Sequence, residues 1–239
     1  MRIEGAVALV TGANRGIGRA FVDALLERGA NRIYATARDR RGLDVLAGLD
    51  ARVRAVRLDV RQDREAAAAA REAGEVSLLI NNAAILTRGR PADLPLEGVR
   101  EDMETNFFGT LTVTRAFLPV LAERGGAIVN LLTVAALASM PGLAAYTASK
   151  AAAWSFTQSL RAQLAGRGVA VHGVFPGPVD TDMARPIDLP KTPAIEVARA
   201  TLAGVEAGEE DIFPDPMSRQ LYAAWRADHK AVERQFAAM

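Results

Sequence analysis

Six short aliphatic runs, each followed by a longer stretch of helical pattern, constrain this chain more than any other feature. They are Ala6–Val10, Arg32–Thr36, Val53–Leu58, Val76–Ile80, Ala127–Leu132 and Val169–Phe175. Nearly continuous apolar character marks strands covered on both faces. The stretches between them read as helices over about Gly16–Arg28, Gln62–Ala73, Arg100–Arg124, Tyr146–Arg167 and Pro193–Ala207. Strict alternation of this kind builds a parallel sheet with helices on both sides. It does not break, and half of the 239 residues are apolar, so one sizeable core and a single domain over residues 1–239 are expected. The Ala66–Ala70 run reads as a surface helix, because alanine is the best helix former. Beyond Glu210 a short apolar piece, Ile212 and Phe213, precedes a helical tail over about 216–239. That tail reads as one amphipathic helix from about Met217 to Phe236, in which Leu221, Trp225 and Val232 suit packing on its own body or on a second subunit.

Charge and composition narrow the function classes. Lys+Arg 29 against Asp+Glu 28 leaves a net charge of +1, which gives no overall field to hold a nucleic acid or an anionic membrane. With no cysteine and only His172 and His229, neither disulfides nor a metal centre are expected. Ala6–Val10 is too short for a signal-peptide core, so a cytoplasmic location is expected. Gly125–Ser149 carries no formal charge, yet Asn130, Thr133, Ser139 and Pro141 interrupt it, and a membrane span is not expected.

The first strand runs into Thr11, Gly12, Ala13, Asn14, Arg15, Gly16, Ile17 and Gly18, after which a helical pattern begins. A strand, a glycine-rich turn and a helix N-terminus in series present free N–H groups and the positive dipole end to a pyrophosphate. A Cβ there would hold such a ligand off. Isolated glycines of this kind also occur in plain turns; the placement between strand and helix is what points to a dinucleotide. The fold expected is therefore a Rossmann-type doubly wound α/β sheet of about seven parallel strands. Twenty residues past Gly18, at the end of the second strand, stands Arg38. In this topology an acid at that place favours NAD and an arginine accommodates the 2′-phosphate of NADP. Arg38 after Ala37, with Arg15 as a second cation, favours NADP(H) over NAD(H). Asp39 is the counterargument, since a shift of one residue brings a carboxylate to the ribose. The plain alternative is that Arg38, Asp39, Arg40 and Arg41 form a solvated loop.

Tyr146 and Lys150 stand four apart at the start of a predicted helix and so share one face. A lone pair of this spacing carries little meaning. Here a hydroxyl residue, Thr133, lies thirteen positions upstream at a strand end, and Asn106 sits on the preceding helix. Groups at the carboxyl ends of parallel strands converge on the crevice where a dinucleotide lies.

These residues resemble the short-chain dehydrogenase/reductase family. The resemblance is carried by TGANRGIG at Thr11–Gly18, Leu58-Asp59-Val60, NNAA at Asn81–Ala84, Asn106, IVNLLT at Ile128–Thr133, YTASK at Tyr146–Lys150 and PGPVDT at Pro176–Thr181. It implies that Asp59 and Val60 contact the adenine and that Asn82 and Ala83 line the dinucleotide. Pro176, Gly177, Val179 and Thr181 would lie at the nicotinamide, and Asn106, Thr133, Tyr146 and Lys150 would form the catalytic set. It also implies pairing through the helices holding Asn106 and Tyr146, giving a homodimer or homotetramer. Two positions depart from the family pattern: Thr133 replaces the usual serine and Ala84 replaces a glycine. Threonine keeps the hydroxyl but is stiffer at χ1, and alanine argues against a left-handed turn at position 84.

The chemistry expected is interconversion of a ketone or aldehyde with its alcohol, Tyr146 supplying the proton. Bringing a phenol from a pKa near 10 toward neutrality by ~2–3 units needs ~3–4 kcal/mol. An ammonium at ~4 Å in an effective dielectric of ~20 supplies ~4 kcal/mol, so Lys150 is expected to lower the phenol, and to bond the nicotinamide ribose. Thr133 would donate to the carbonyl and Asn106 would order a water serving Lys150. The competing reading is a dinucleotide-binding regulatory protein with little turnover, prompted by Thr133 and Ala84. Taken singly, Tyr146 as a core phenol, Lys150 as a surface lysine and Thr133 as a strand residue are ordinary alternatives. His172 and Trp154 read as packed residues. Met183, Ile187 and Leu189, between Thr181 and Pro193, suit an apolar ligand.

Overall fold

The aliphatic runs become strands because each can bury both faces in the middle of a sandwich of helices. The computed structural model describes residues 1–238; Met239, the last residue of the expected tail, lies outside them. The strands are β1 (Val7–Val10), β2 (Arg32–Ala37), β3 (Val53–Arg57), β4 (Leu78–Asn81), β5 (Gly126–Leu131) and β6 (Val169–Val174), then a short β7 (Val179–Asp180), β8 (Thr192–Pro193) and β9 (Asp211–Ile212). Seven form one parallel sheet in the order β3-β2-β1-β4-β5-β6-β9, and β7 pairs with β8 apart from it. The register sets Leu9 beside Tyr34 and Leu79, Ile80 beside Val129, and Val174 beside Ile212. The order reverses between β1 and β4, and it is at such a switch point that ligands bind in open α/β sheets.

Helices α1 (Gly16–Glu27), α2 (Arg40–Leu46) and α3 (Asp63–Glu72) follow the first three strands in turn. Then come α4 (Leu96–Asp102), a π-helical turn at Met103–Phe108, α5 (Gly109–Arg124), α6 (Ala144–Leu164), α7 (Ala194–Ala207), α8 (Pro216–Ala227) and α9 (His229–Ala237). One face of the sheet carries Ala8, Val10, Ile33 and Ile80 against Phe21 and Leu25 of α1, Leu46 of α2 and Leu202 of α7. The opposite face carries Leu9, Tyr34, Leu79 and Ile128 against Ala66 of α3, Phe117 of α5 and Leu160 of α6. Successive residues of β1 thus serve opposite cores, which is the strand's period of two. Each fully buried Leu, Ile or Phe contributes about 1.5–3 kcal/mol over leaving it in water.

Several elements differ from the sequence reading. The alternative of a solvated loop at Arg38–Arg41 does not hold: this stretch is the entry to α2, whose N-terminus is capped by Asp39 accepting from the Gly42 N–H at 2.8 Å. Seven residues containing Arg-Arg-Gly carry too little periodicity to show a helix in advance. The helix expected from Arg100 begins at Leu96 and widens into the π turn around Asn106. The tail is two helices, because Asp228 is extended (φ −152, ψ 92) and its side chain caps α9 through the Ala231 N–H at 3.0 Å. Ala66, Ala69 and Ala70 are buried where α3 packs near α5, so the small side chains face inward.

A buried polar chain ties the sheet to its helices. Asn81 Nδ2 donates to Thr114 Oγ1 (3.0 Å) and to Asn130 Oδ1 (2.9 Å), and Asn130 Nδ2 donates to Thr157 Oγ1 (2.9 Å). Buried amides held in this way fix β4 and β5 against α5 and α6 in one arrangement. His172, 2% exposed, is packed as expected, and burial lowers its pKa. Trp154 packs edge-on against Phe175 at 5.6 Å. Among the described residues no helix is long and apolar enough to cross a membrane.

Candidate active site

The turn after β1 is shaped by its glycines. Gly12 (φ 63) and Gly16 (φ 55) occupy the left-handed region, which a side chain makes costly. A Cβ at Gly18 would lie 2.2 Å from the Gly12 carbonyl oxygen, so the first turn of α1 can press against the loop only without one. Arg15 enters α1 in extended conformation and makes no side-chain cap, leaving the first N–H groups of the helix directed at the cleft. Neighbouring strands brace the turn. Thr11 Oγ1 accepts from the N–H groups of Asn82 and Ala83, both at 2.9 Å, Asn82 Nδ2 donates to the carbonyls of Thr11 (2.8 Å) and Gly12 (3.2 Å), and Ala13 N–H donates to the Thr36 carbonyl (2.8 Å).

A cleft of about 640 Å³ runs from this turn along the carboxyl ends of the strands. Gly12, Asn14, Arg15, Gly16, Ile17 and Gly18 line one part, with Arg38, Asp59 and Val60 beyond the ends of β2 and β3. Asn82, Ala83, Pro176, Gly177, Val179 and Thr181 line it as well, and so do Thr133, Tyr146 and Lys150. Every candidate residue therefore faces one cleft except Asn106. At the outer end, Asp59 is held below the usual carboxylate range by Arg61, whose guanidinium bonds it at 3.0 and 2.7 Å. Asp39 spends one carboxylate oxygen on the cap of α2. Arg15 reaches to 3.9 Å from Asp182; both are exposed, so this pair contributes little.

Tyr146 and Lys150 lie on the first turns of α6, as the spacing predicted. The Lys150 ammonium stands 5.9 Å from the centre of the Tyr146 ring and donates to the Leu131 carbonyl at 2.6 Å. Lys150 is 4% exposed, and burial brings its pKa down to about 8 against an opposing influence from Asp102. Burial pushes the Tyr146 phenol up, and the negative charge of Asp102 adds to that. The direction for Tyr146 is thus opposite to the lowering expected from Lys150, and its causes are burial and Asp102. Desolvation acts on both groups and disfavours the charged form of each.

Thr133 caps the short 3₁₀ turn Val134–Ala136 by accepting from the Ala135 N–H at 3.2 Å. Its contact with the Pro176 carbonyl is 3.5 Å, too long for a committed bond, so the hydroxyl proton remains free to donate into the cleft. Ala84 lines the cleft, and among the described residues only glycines have positive φ, as alanine there requires.

Asn106 is fully buried behind the cleft wall. Its amide donates to the Ile85 carbonyl and to Ser149 Oγ, and its Oδ1 accepts from the Ile85 N–H, each at 2.9 Å. Ser149 Oγ donates onward to the Tyr146 carbonyl at 2.7 Å. Both amide protons are committed, and through them Asn106 ties α6 to the loop after β4. Asp102, one turn earlier on the same helical face, does the equivalent for Thr87, accepting from its N–H at 3.1 Å and its hydroxyl at 2.9 Å. From sequence alone an acid in the run Val99–Glu104 reads as part of a solvated face; the i, i+4 spacing to Asn106 is the signal that singles out Asp102. Met183, Ile187 and Leu189 line the cleft as expected, joined by side chains of α8 and α9 that the sequence reading did not place there.

The site tests well for a dinucleotide: a glycine cradle that a Cβ would fill, uncapped helix N–H groups, and cations at its outer end. Comparison with known proteins agrees. Residues 6–191 match the short chain dehydrogenase family. The chain is 36% identical over 214 residues to the 3-oxoacyl-(acyl-carrier-protein) reductase FabG of Vibrio cholerae, covering 87% of this chain and 85% of the relative. It is 34% identical over 213 residues to the oxidoreductase UcpA of Salmonella typhimurium, covering 83% and 81%. Among solved structures it resembles a short chain dehydrogenase from Burkholderia cenocepacia in complex with NADP, with a TM-score of 0.94, 40% identity and 99% of each chain covered. A second, from Burkholderia phymatum in complex with NAD, has a TM-score of 0.85 and 27% identity over 98% and 96%. The braced glycine turn, the paired Tyr146 and Lys150 and these similarities lead to one conclusion: the chain belongs to the short-chain dehydrogenase/reductase family of oxidoreductases.

Proposed function

We propose that this protein reduces a ketone or aldehyde with NADPH, and oxidises the corresponding alcohol in reverse, with Tyr146 as the acid and base. The observation that carries the reading is the placement of Tyr146, Lys150 and Thr133 in the same cleft as the glycine turn. The N–H groups of Asn14–Gly18 would hold the pyrophosphate, Asp59 and Val60 the adenine, and Asn82 and Ala83 the middle of the dinucleotide. Pro176, Gly177, Val179 and Thr181 would hold the nicotinamide end, and Lys150 its ribose. When bound, the reduced nicotinamide supplies hydride to the carbonyl carbon. Thr133 donates its free proton to the carbonyl oxygen, stabilising the charge that develops there. Tyr146 delivers its proton to that oxygen, and the Lys150 ammonium returns a proton to the phenolate and regains one from solvent. Asn106 and Asp102 act as positioning residues, holding the loop at Ile85 and Thr87 against α6.

Two observations support NADPH over NADH. Arg38 and Arg15 both face the outer cleft, and Asp39, which also lines it, has one carboxylate oxygen engaged as a helix cap. The relative solved with NADP also shares more sequence with this chain than the one solved with NAD. The proposal includes one catalytic domain over 1–239 and assembly through α5 and α6 as a dimer or tetramer. Phe108, 44% exposed where the π turn meets α5, is the apolar side chain that supports assembly.

Consumption of NADPH across a panel of aldehydes, ketones and diketones tests the reading, with Tyr146→Phe as the decisive variant. We expect that variant to bind NADPH and to lose turnover by about 10²-fold or more. Equal rates in the two proteins would remove Tyr146 from the chemistry. NADPH binding with no turnover in either would favour the regulatory reading.

A further inference from the structure

Helices α8 and α9 lie beyond residue 191, where the family match ends, yet they help to close the cleft. Met217, Gln220, Leu221 and Ala224 face it from α8, and Gln235 and Phe236 from α9. A helix of nine residues has little stability of its own, so α9 must be held in place by what it touches. Its side chains Val232 and Phe236, one turn apart and 2% and 4% exposed, pack against Ala135 and Ala138, with Met140, Leu221 and Trp225 around them. The Trp225 indole N–H donates to the Leu137 carbonyl at 3.1 Å. The tail is thereby fastened to the turn that follows Thr133, beside the hydroxyl assigned to the substrate carbonyl.

Charge is distributed unevenly along the cleft. Its cations, Arg15, Arg38, Arg61 and Lys150, belong to the glycine turn, the adenosine end and the catalytic pair. Of the lining residues that follow Pro176, Asp182 alone is charged, and it is paired with Arg15 and Arg185. Arg88, whose guanidinium donates to the Met183 carbonyl at 3.3 Å, and Arg185 are exposed outside that lining, so an anionic group among the lining side chains would lose hydration without gaining a partner from them.

We propose that α8 and α9 are the distal wall of the substrate pocket, that Phe236 sets its depth, and that the pocket takes an uncharged, largely apolar carbonyl compound. This rests on the reading of Tyr146 as proton donor. The test uses methyl ketones from butanone to 2-decanone, together with ethyl acetoacetate and acetoacetate as an uncharged and charged pair. Wild-type protein should prefer the ester over the acid by about 100-fold in kcat/KM, since a buried charge without a partner is rejected more strongly than a methylene. Phe236→Ala should raise kcat/KM for the longest ketones relative to the shortest by about tenfold. Gln235→Trp, at an exposed side chain on the rim, should do the reverse without disturbing the packing of α9. NADPH affinity, read from nucleotide fluorescence, should stay constant in both variants. Preference for the acid, or an unchanged ketone profile in both variants, would overturn the wall while leaving the oxidoreductase reading intact. Failure of the wild type to reduce any member while binding NADPH would overturn that reading, and the wall with it.

Discussion

A single methyl group at position 18 should disable the turn that opens the cleft. In Gly18→Ala the new Cβ would lie 2.2 Å from the Gly12 oxygen, 2.5 Å from Asn82 Nδ2 and 2.9 Å from the Gly12 carbonyl carbon. Favourable carbon contacts begin near ~3.5 Å, so the Gly12 carbonyl must retreat by about 1 Å. That carbonyl belongs to a residue at φ 63 and accepts from Asn82 at 3.2 Å; neither constraint yields without re-aiming the N–H groups of the turn. Overpacking of this kind costs about 1–3 kcal/mol. Because the distortion falls on the phosphate-facing backbone, the upper part of that range should appear as lost affinity. An NADPH dissociation constant raised by a factor of roughly 30–150 corresponds to about 2–3 kcal/mol. Gly74→Ala is the control, since its Cβ would meet nothing closer than the Arg71 oxygen at 3.8 Å. Fluorescence titration with NADPH and thermal unfolding of both variants separate binding from stability. Wild-type affinity in Gly18→Ala, or equal weakening in Gly74→Ala, would refute the assignment of this turn.

Two further outcomes follow from the site's charges. Arg38→Asp should lower the ratio of kcat/KM for NADPH to that for NADH by roughly 10–100-fold, the worth of one charge-assisted bond; an unchanged ratio would remove Arg38 from cofactor choice. Lys150 has a folded pKa of about 8 against an ordinary 10.5, so between those values the unfolded chain binds more protons and stability rises with pH. The penalty, at most about 3 kcal/mol, is complete below pH 8. Lys150→Met lacks it, so urea unfolding at pH 8 and 9.8 should show wild-type stability gaining on the variant as pH rises. Working below pH 10 avoids the raised phenol of Tyr146, which acts in the opposite direction above its ordinary value. Parallel pH dependence in the two proteins would contradict the burial argument for Lys150.

The residues alone determined the alternation of strands and helices, the glycine turn and the pairing of Tyr146 with Lys150. All three are local: buried parallel strands need continuous apolar runs, a turn with positive φ needs glycine, and side chains four apart on a helix share a face. Tertiary structure decided what depends on distant partners. Asp39 became a helix cap, Asn106 proved to be spent on Ile85 and Ser149, and Asp102 emerged as its companion on Thr87. Desolvation of Tyr146 and Lys150 is likewise invisible in spacing, because the atoms that exclude water from them come from elsewhere in the chain. The break at Asp228 that folds Phe236 back onto the turn after Thr133 is of the same kind: an amphipathic stripe shows that a helix will be covered, and only the assembled fold shows by what.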